Sequence, residues 1–186
     1  ALGRVGEAER VLTDAAEHSG PSTALHEPQR LISRSWYAAA KGMERRSIEL
    51  ANAAADNARR SGQYALEAEA LHHAARFGDR TGADRLEELT AVVHGTVVGM
   101  YARHARSVAV GDAAGLDAVS ADFEHAGMTL SAADAAAQAA LLHDSAGDRR
   151  QMLDSGATAL RLAQLCGGAL KIVGNGAHAD RPRWRR

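Results

Sequence analysis

The chain has 186 residues and a formal net charge of −1, enough for one sizeable domain and without the overall positive field that favours nucleic acid. Alanine supplies 42 residues, proline three and aromatics 4%, a balance that excludes a β-sandwich or barrel and predicts an all-α chain. A single cysteine, Cys166, excludes an intrachain disulfide and fits a reducing, cytoplasmic setting, and the longest near-apolar run, 135–142, is interrupted by Gln138 and too short to cross a bilayer.

Residues 1–18 read as one helix, already amphipathic at Leu2, Val5, Ala8, Val11 and Leu12, like a piece of a longer protein, and Gly20-Pro21 ends it. A polar connection with capping candidates Ser22 and Thr23 leads to a helix over 28–41, with Leu31, Ser35, Ala38 and Ala39 inward. The helix over 43–60 has an apolar side made of Ala51, Ala54, Ala55 and Ala58, and Arg59-Arg60 suits its negative end. Between Gly62 and Gly78, Tyr64, Ala68, Leu71 and Ala75 fall on one stripe. Thr81 to Asp84 resembles a capping box ahead of Leu86, Leu89, Val92 and Val93. After Gly95 comes the stripe Val97, Tyr101, Ala105, Val108; after Asp112, Leu116, Val119 and Phe123 turn inward. Ser131 to Asp134 suggests a second box before Ala135, Ala139 and Leu142, and the last helix, 148–165, presents Leu153, Ala157 and Leu160. Residues 169–186 form a basic tail or linker, expected to be mobile, with four arginines against one aspartate after residue 176.

Glycines at 42, 62, 78, 95, 111, 127, 147 and 167 divide this series at intervals of 16 to 20 residues, each placed to end a helix in the left-handed conformation. Aspartate follows three of them, at Gly78-Asp79, Gly111-Asp112 and Gly147-Asp148, ready to cap the next helix. Helices of this length joined by short links form antiparallel hairpins, and hairpins of about 34 residues stack as a right-handed tetratricopeptide-like α-solenoid. The expectation is therefore a helical-repeat domain over 1–168, with about eight or nine helices. Its inner surface is expected to carry Tyr64, Glu67, His72 and Arg76 as partner-binding residues.

Chemistry is sparse. Glu69/His72 and Asp122/His125 each set a carboxylate and an imidazole one turn apart, the half-motif of a carboxylate-bridged metal site; solvated helix faces are the simpler reading. His143-Asp144 matches only a dipeptide of metal-dependent phosphohydrolases, and His72-His73 and His94 read as packing residues. No phosphate-cradling loop or Gly-x-Ser-x-Gly elbow is present, and Cys166 reads as a buried small hydrophobe. Arg103, His104 and Arg106 make a small basic patch, and Arg181, Arg183, Trp184, Arg185 and Arg186 could touch phosphates, although a linker remnant is the simpler reading. Neither a catalytic group, a metal site nor a cofactor is assigned.

Residues 66–79 (LEAEALHHAARFGD) and 83–95 (ADRLEELTAVVHG), continuing through 101–168 to Leu165-Cys166-Gly167-Gly168, resemble the helical arm of actinobacterial LuxR-type, MalT-like ATPase transcription regulators. The resemblance is loose over 1–61. It implies a non-catalytic sensor or oligomerisation arm that contacts a protein partner or small inducer, self-associates, and reaches DNA only through a C-terminal helix-turn-helix that this chain lacks. The alternatives are a free-standing tetratricopeptide-like adaptor for a partner peptide and, more remotely, a helical metal enzyme.

Overall fold

The computed structural model describes residues 4–18 and 20–167, and every regular element among them is helical. The elements are α1 (Val5–Glu17), a 3-10 turn (Pro21–His26), α2 (Glu27–Ala40), α3 (Glu44–Arg60), α4 (Tyr64–Arg76), α5 (Ala83–Leu89), α6 (Thr96–Val110), α7 (Ala113–His125), α8 (Thr129–Ser145) and α9 (Arg149–Leu165). The tail expected over 169–186 lies outside the described residues.

One local device generates most of this order. The glycines with positive φ among the described residues are the eight that punctuate the sequence, from Gly42 (φ 76°) to Gly167 (φ 84°). At the end of α2 the Gly42 N–H donates to the Ala39 carbonyl at 3.0 Å and the Met43 N–H to that of Ala38 at 2.9 Å. This paired closure satisfies two carbonyls that a helix end leaves free, and it needs a left-handed residue that glycine adopts without cost. The same pair of bonds recurs after α3 (Gly62, Gln63), α4 (Gly78, Asp79), α7 (Gly127, Met128) and α8 (Gly147, Asp148). The residue after the glycine then starts the next helix. Asp112 and Asp148 do so with a side-chain cap, accepting from the Gly115 and Gln151 N–H groups at 3.0 and 3.1 Å. Asp79 instead folds onto Thr81, and its other contact is Asn52.

Links of two or three residues send α3, α4, α7, α8 and α9 back along their predecessors, so sequential neighbours pack: α2 with α3, α3 with α4, and α6 through α9 in succession. Alternate helices also touch, α2 with α4 and α4 with α6, and α4 reaches as far as α8. Two main cores result. The first joins α2 to α6 through Ile32, Ala54, Ala68, Leu71, Leu86 and Leu89. The second joins α6 to α9 through Met100, Leu116, Val119, Phe123, Ala139 and Leu162. Fully burying a side chain such as Phe123 or Leu86 contributes about 1.5–3 kcal/mol. By contrast α1 buries none of its residues.

Several local expectations need correction. The Thr81–Asp84 box does not form: α5 starts after Gly82 without a side-chain cap, and the Thr81 hydroxyl bonds Asp79. The second box fails because α8 already begins at Thr129, which places Ser131 and Asp134 inside the helix. On α9 the buried positions are Ser155, Ala159, Leu162 and Ala163, so the stripe Leu153, Ala157, Leu160 faces outward. Tyr64, Val92 and Val97 are exposed, and Cys166 is half-buried rather than buried. No helix among the described residues is long and apolar enough to cross a membrane.

Candidate functional site

The polar residues that the apolar packing does not explain gather where alternate helices meet. The last two turns of α4 carry Glu69, His72, His73 and Arg76; α6 adds Tyr101 and His104, α8 adds Asp134 and Gln138, and α2 adds Trp36. His72 and His104 are buried, 1% and 0% exposed, and their Nε2 and Nδ1 atoms lie 3.0 Å apart. His104 Nε2 is 2.7 Å from Gln138 Oε1. The Gln138 amide nitrogen donates to the carbonyls of Ala75 and Arg76 at 3.0 and 3.2 Å, at the C-terminal end of α4.

These bonds determine the protons. With its nitrogen committed to two carbonyls, Gln138 turns its oxygen to His104 and accepts the Nε2 proton. His104 Nδ1 is then an acceptor, and His72 Nε2 donates to it. The line of hydrogen bonds therefore runs one way through two neutral imidazoles and ties α4, α6 and α8 together. Burial pushes both histidines down, His104 from 6.5 to about 4 against the opposing pull of Gln138. His72 falls well below its ordinary value through burial first, then the His104 and Arg76 charges. Tyr101 stacks on the His72 ring at 3.9 Å between centroids, and Phe123 lies 5.3 Å from His72 and 6.3 Å from Tyr101.

A charged pair sits beside this line. Arg76 Nε and Nη2 both donate to Asp134 Oδ2, at 2.8 and 2.6 Å, across 58 residues of sequence. Its guanidinium lies 4.5 Å from the Trp36 ring centroid, a cation–π contact that shields the pair. Trp36 Nε1 donates to His73 Nδ1 at 3.3 Å, which leaves His73 Nε2 facing Glu69 at 3.6 Å. Burial lowers the His73 imidazole, against the raising pull of Glu69. Burial also raises the Asp134 carboxyl, with Arg76 opposing.

Of the four residues expected on an open inner surface, the structure brings His72 and Arg76 into this cluster but buries both. Glu67 is 2% exposed and turns to α5, where Arg85 Nε and Nη2 grip its two oxygens at 2.7 and 3.0 Å. Tyr64 alone of the four is exposed, at the start of α4 and away from the cluster. Trp36, His73, Tyr101, Asp134 and Gln138 carry the site without having been singled out for it. One signal was available: His72, His104 and Gln138 are separated by 32 and 34 residues, one hairpin each.

The other candidates disperse. Glu69 faces His73 rather than sharing a ligand position with His72, and Asp122 pairs with Arg103 on the surface at 2.7 Å. The basic patch dissolves likewise, because His104 is internal and Arg106 pairs with Asp84. His143 bonds Asp117 at 2.8 Å, and Ser155 donates to the other Asp117 oxygen at 2.7 Å. The serine proton thus goes to the Asp117 carboxylate, and the trio joins α7, α8 and α9. Among the described residues no group of three or more His, Cys, Asp or Glu side chains is placed to hold a metal ion, and every buried side-chain nitrogen or oxygen has a partner. Comparison with protein-family models, curated proteins and solved structures matches none of them.

Proposed function

We propose that this chain is a non-catalytic helical-repeat scaffold, a tetratricopeptide-like right-handed α-solenoid that mediates protein contacts. The observation that carries the reading is the hydrogen-bonded line His72–His104–Gln138, which repeats one polar position per hairpin and joins α4, α6 and α8. The buried polar groups of this line bond one another and the α4 carbonyls, which suits a role in holding alternate helices in register. Within this reading the resemblance to LuxR-type regulators makes the chain a sensor or oligomerisation arm, coupled to a DNA-binding module elsewhere in a parent protein. A free-standing adaptor for a partner peptide is the other form of the same scaffold.

Two measurements test this. Small-angle scattering of the purified chain is expected to give an elongated, curved particle; a profile fitted by a compact sphere contradicts the solenoid. In the parent reading frame, a helix-turn-helix segment downstream of Arg186 supports the regulator arm, and a stop codon there favours the adaptor.

A further inference from the structure

The two main apolar cores meet at α6. Val98, Ala102 and Ala105 belong to the core of α2 to α6, Met100 and Val108 to that of α6 to α9, and Tyr101 packs against both. Where α8 reaches α4 across this divide, its bonds are polar: Asp134 to Arg76, and Gln138 to the Ala75 and Arg76 carbonyls. Polar bonds exchange for water at small net cost, whereas parting an apolar core exposes its whole surface. The divide therefore parts with less loss than either core.

The His72–His104 pair sits at that divide, and its hydrogens limit how many protons it holds. With one added proton the line survives. The His72 hydrogen moves to Nδ1, His72 Nε2 accepts from His104 Nδ1–H, and His104 Nε2–H stays on Gln138. With two, both facing nitrogens carry hydrogen, and two N–H groups oppose each other at 3.0 Å. The charged and titratable groups around the pair are Glu69, His73 and Arg76 from α4, Tyr101 from α6 and Asp134 from α8. Helices α2 and α7 present Trp36 and Phe123. Neither carboxylate is free to offset added charge: Asp134 is bound by Arg76 and Glu69 faces His73. Arg76 adds a cation of its own beside the pair.

We propose that the His72–His104–Gln138 line is a proton-operated latch: protons taken up by the imidazole pair release α8 from α4, and the two cores turn apart about α6 without unfolding. Acid charges the joint but leaves apolar burial untouched, so the joint yields first. The inference goes beyond the scaffold reading and does not depend on what the scaffold contacts.

The test uses the full chain with Cys166→Ser, and nitroxide labels on Arg60→Cys in α3 and Arg150→Cys in α9, both exposed positions. Double electron–electron resonance reads the distance between the two halves from pH 7 to 4, and circular dichroism reads the helix content. One distance is expected at pH 7, with a second growing in reversibly as pH falls while helicity is kept. Adding His72→Gln and His104→Gln is expected to abolish the second distance. If that variant does not fold, nitrogen-15 spectra of the histidines decide instead, the open fraction being expected to follow protonation of His72 and His104. A single distance down to pH 4, or helicity lost together with the distance change, overturns the proposal. So does opening that persists without the two imidazoles or that occurs before they protonate.

Discussion

Arg76 shows how much of this molecule rests on a single side chain. It holds Asp134 through two hydrogen bonds, covers Trp36 and donates towards His73, so three helices lose a partner if it goes. Arg76→Met is expected to cost about 3–5 kcal/mol in urea denaturation, because the Asp134 carboxylate is left buried without its cation. Adding Asp134→Leu is expected to recover most of that loss; a single variant within 1 kcal/mol of the parent would show the pair to be dispensable. The neighbouring histidines set an acid limit. Above pH 6.5 His104 is neutral both folded and unfolded; as pH falls from there towards about 4, the unfolded chain gains a proton that the folded site refuses. The His104 contribution to stability therefore drops across that window, by about 3 kcal/mol, and levels off below it, while the equally buried His72 adds a loss of the same sign. The measurement is the melting temperature between pH 7 and 4, and His104→Gln is expected to flatten the fall even though it lowers stability at pH 7.

At the scale of the helices, glycine has two opposite roles. Gly62 (φ 70°) closes α3 in a conformation that an L side chain occupies only at a cost of about 1–2 kcal/mol. Gly156 lies within α9 with open space where a Cβ would stand. Gly62→Ala is expected to lower stability by that amount, and Gly156→Ala to raise it by about 0.5–1 kcal/mol. Equal signs in thermal melts would show that the links do not dictate the helix ends. Left-handed closures were legible in the sequence because they are local, one residue type answering one backbone demand; Gly95 is the exception: at φ 122° and ψ 166° it precedes the start of α6 instead of ending α5. Which face of a helix turns inward was only partly legible. Leu116, Val119 and Phe123 have no apolar rival on α7 and are buried as their spacing predicts. On α9 the stripe Leu153/Ala157/Leu160 competes with Ser155/Ala159/Leu162/Ala163, both at helical spacing, and the neighbours α7 and α8 select between them. The polar line was hidden for a related reason. On its own helix none of His72, His104 and Gln138 points to the others, because each partner lies a whole hairpin away.

Across the whole molecule, stability is graded along the chain. Helices α4, α6 and α8 share cores and the polar line, while α1 buries nothing and touches mainly α2. An isolated 13-residue helix is marginal in water. In dilute solution the amides of α1 are therefore expected to exchange with solvent through local opening, and those of α4, α6 and α8 only through much rarer, near-global unfolding. Hydrogen-exchange mass spectrometry resolves the two classes; uniform protection from α1 to α9 would mean that the chain opens as one unit. All of this depends on alternate helices being joined through neutral imidazoles with assigned protons. Nitrogen-15 NMR of the histidine side chains tests that most directly. His72 and His104 are expected as neutral Nε2–H tautomers at pH 7, with His104 beginning to protonate only as pH nears about 4. A proton on His104 Nδ1, or titration of either ring near 6.5, would contradict the account.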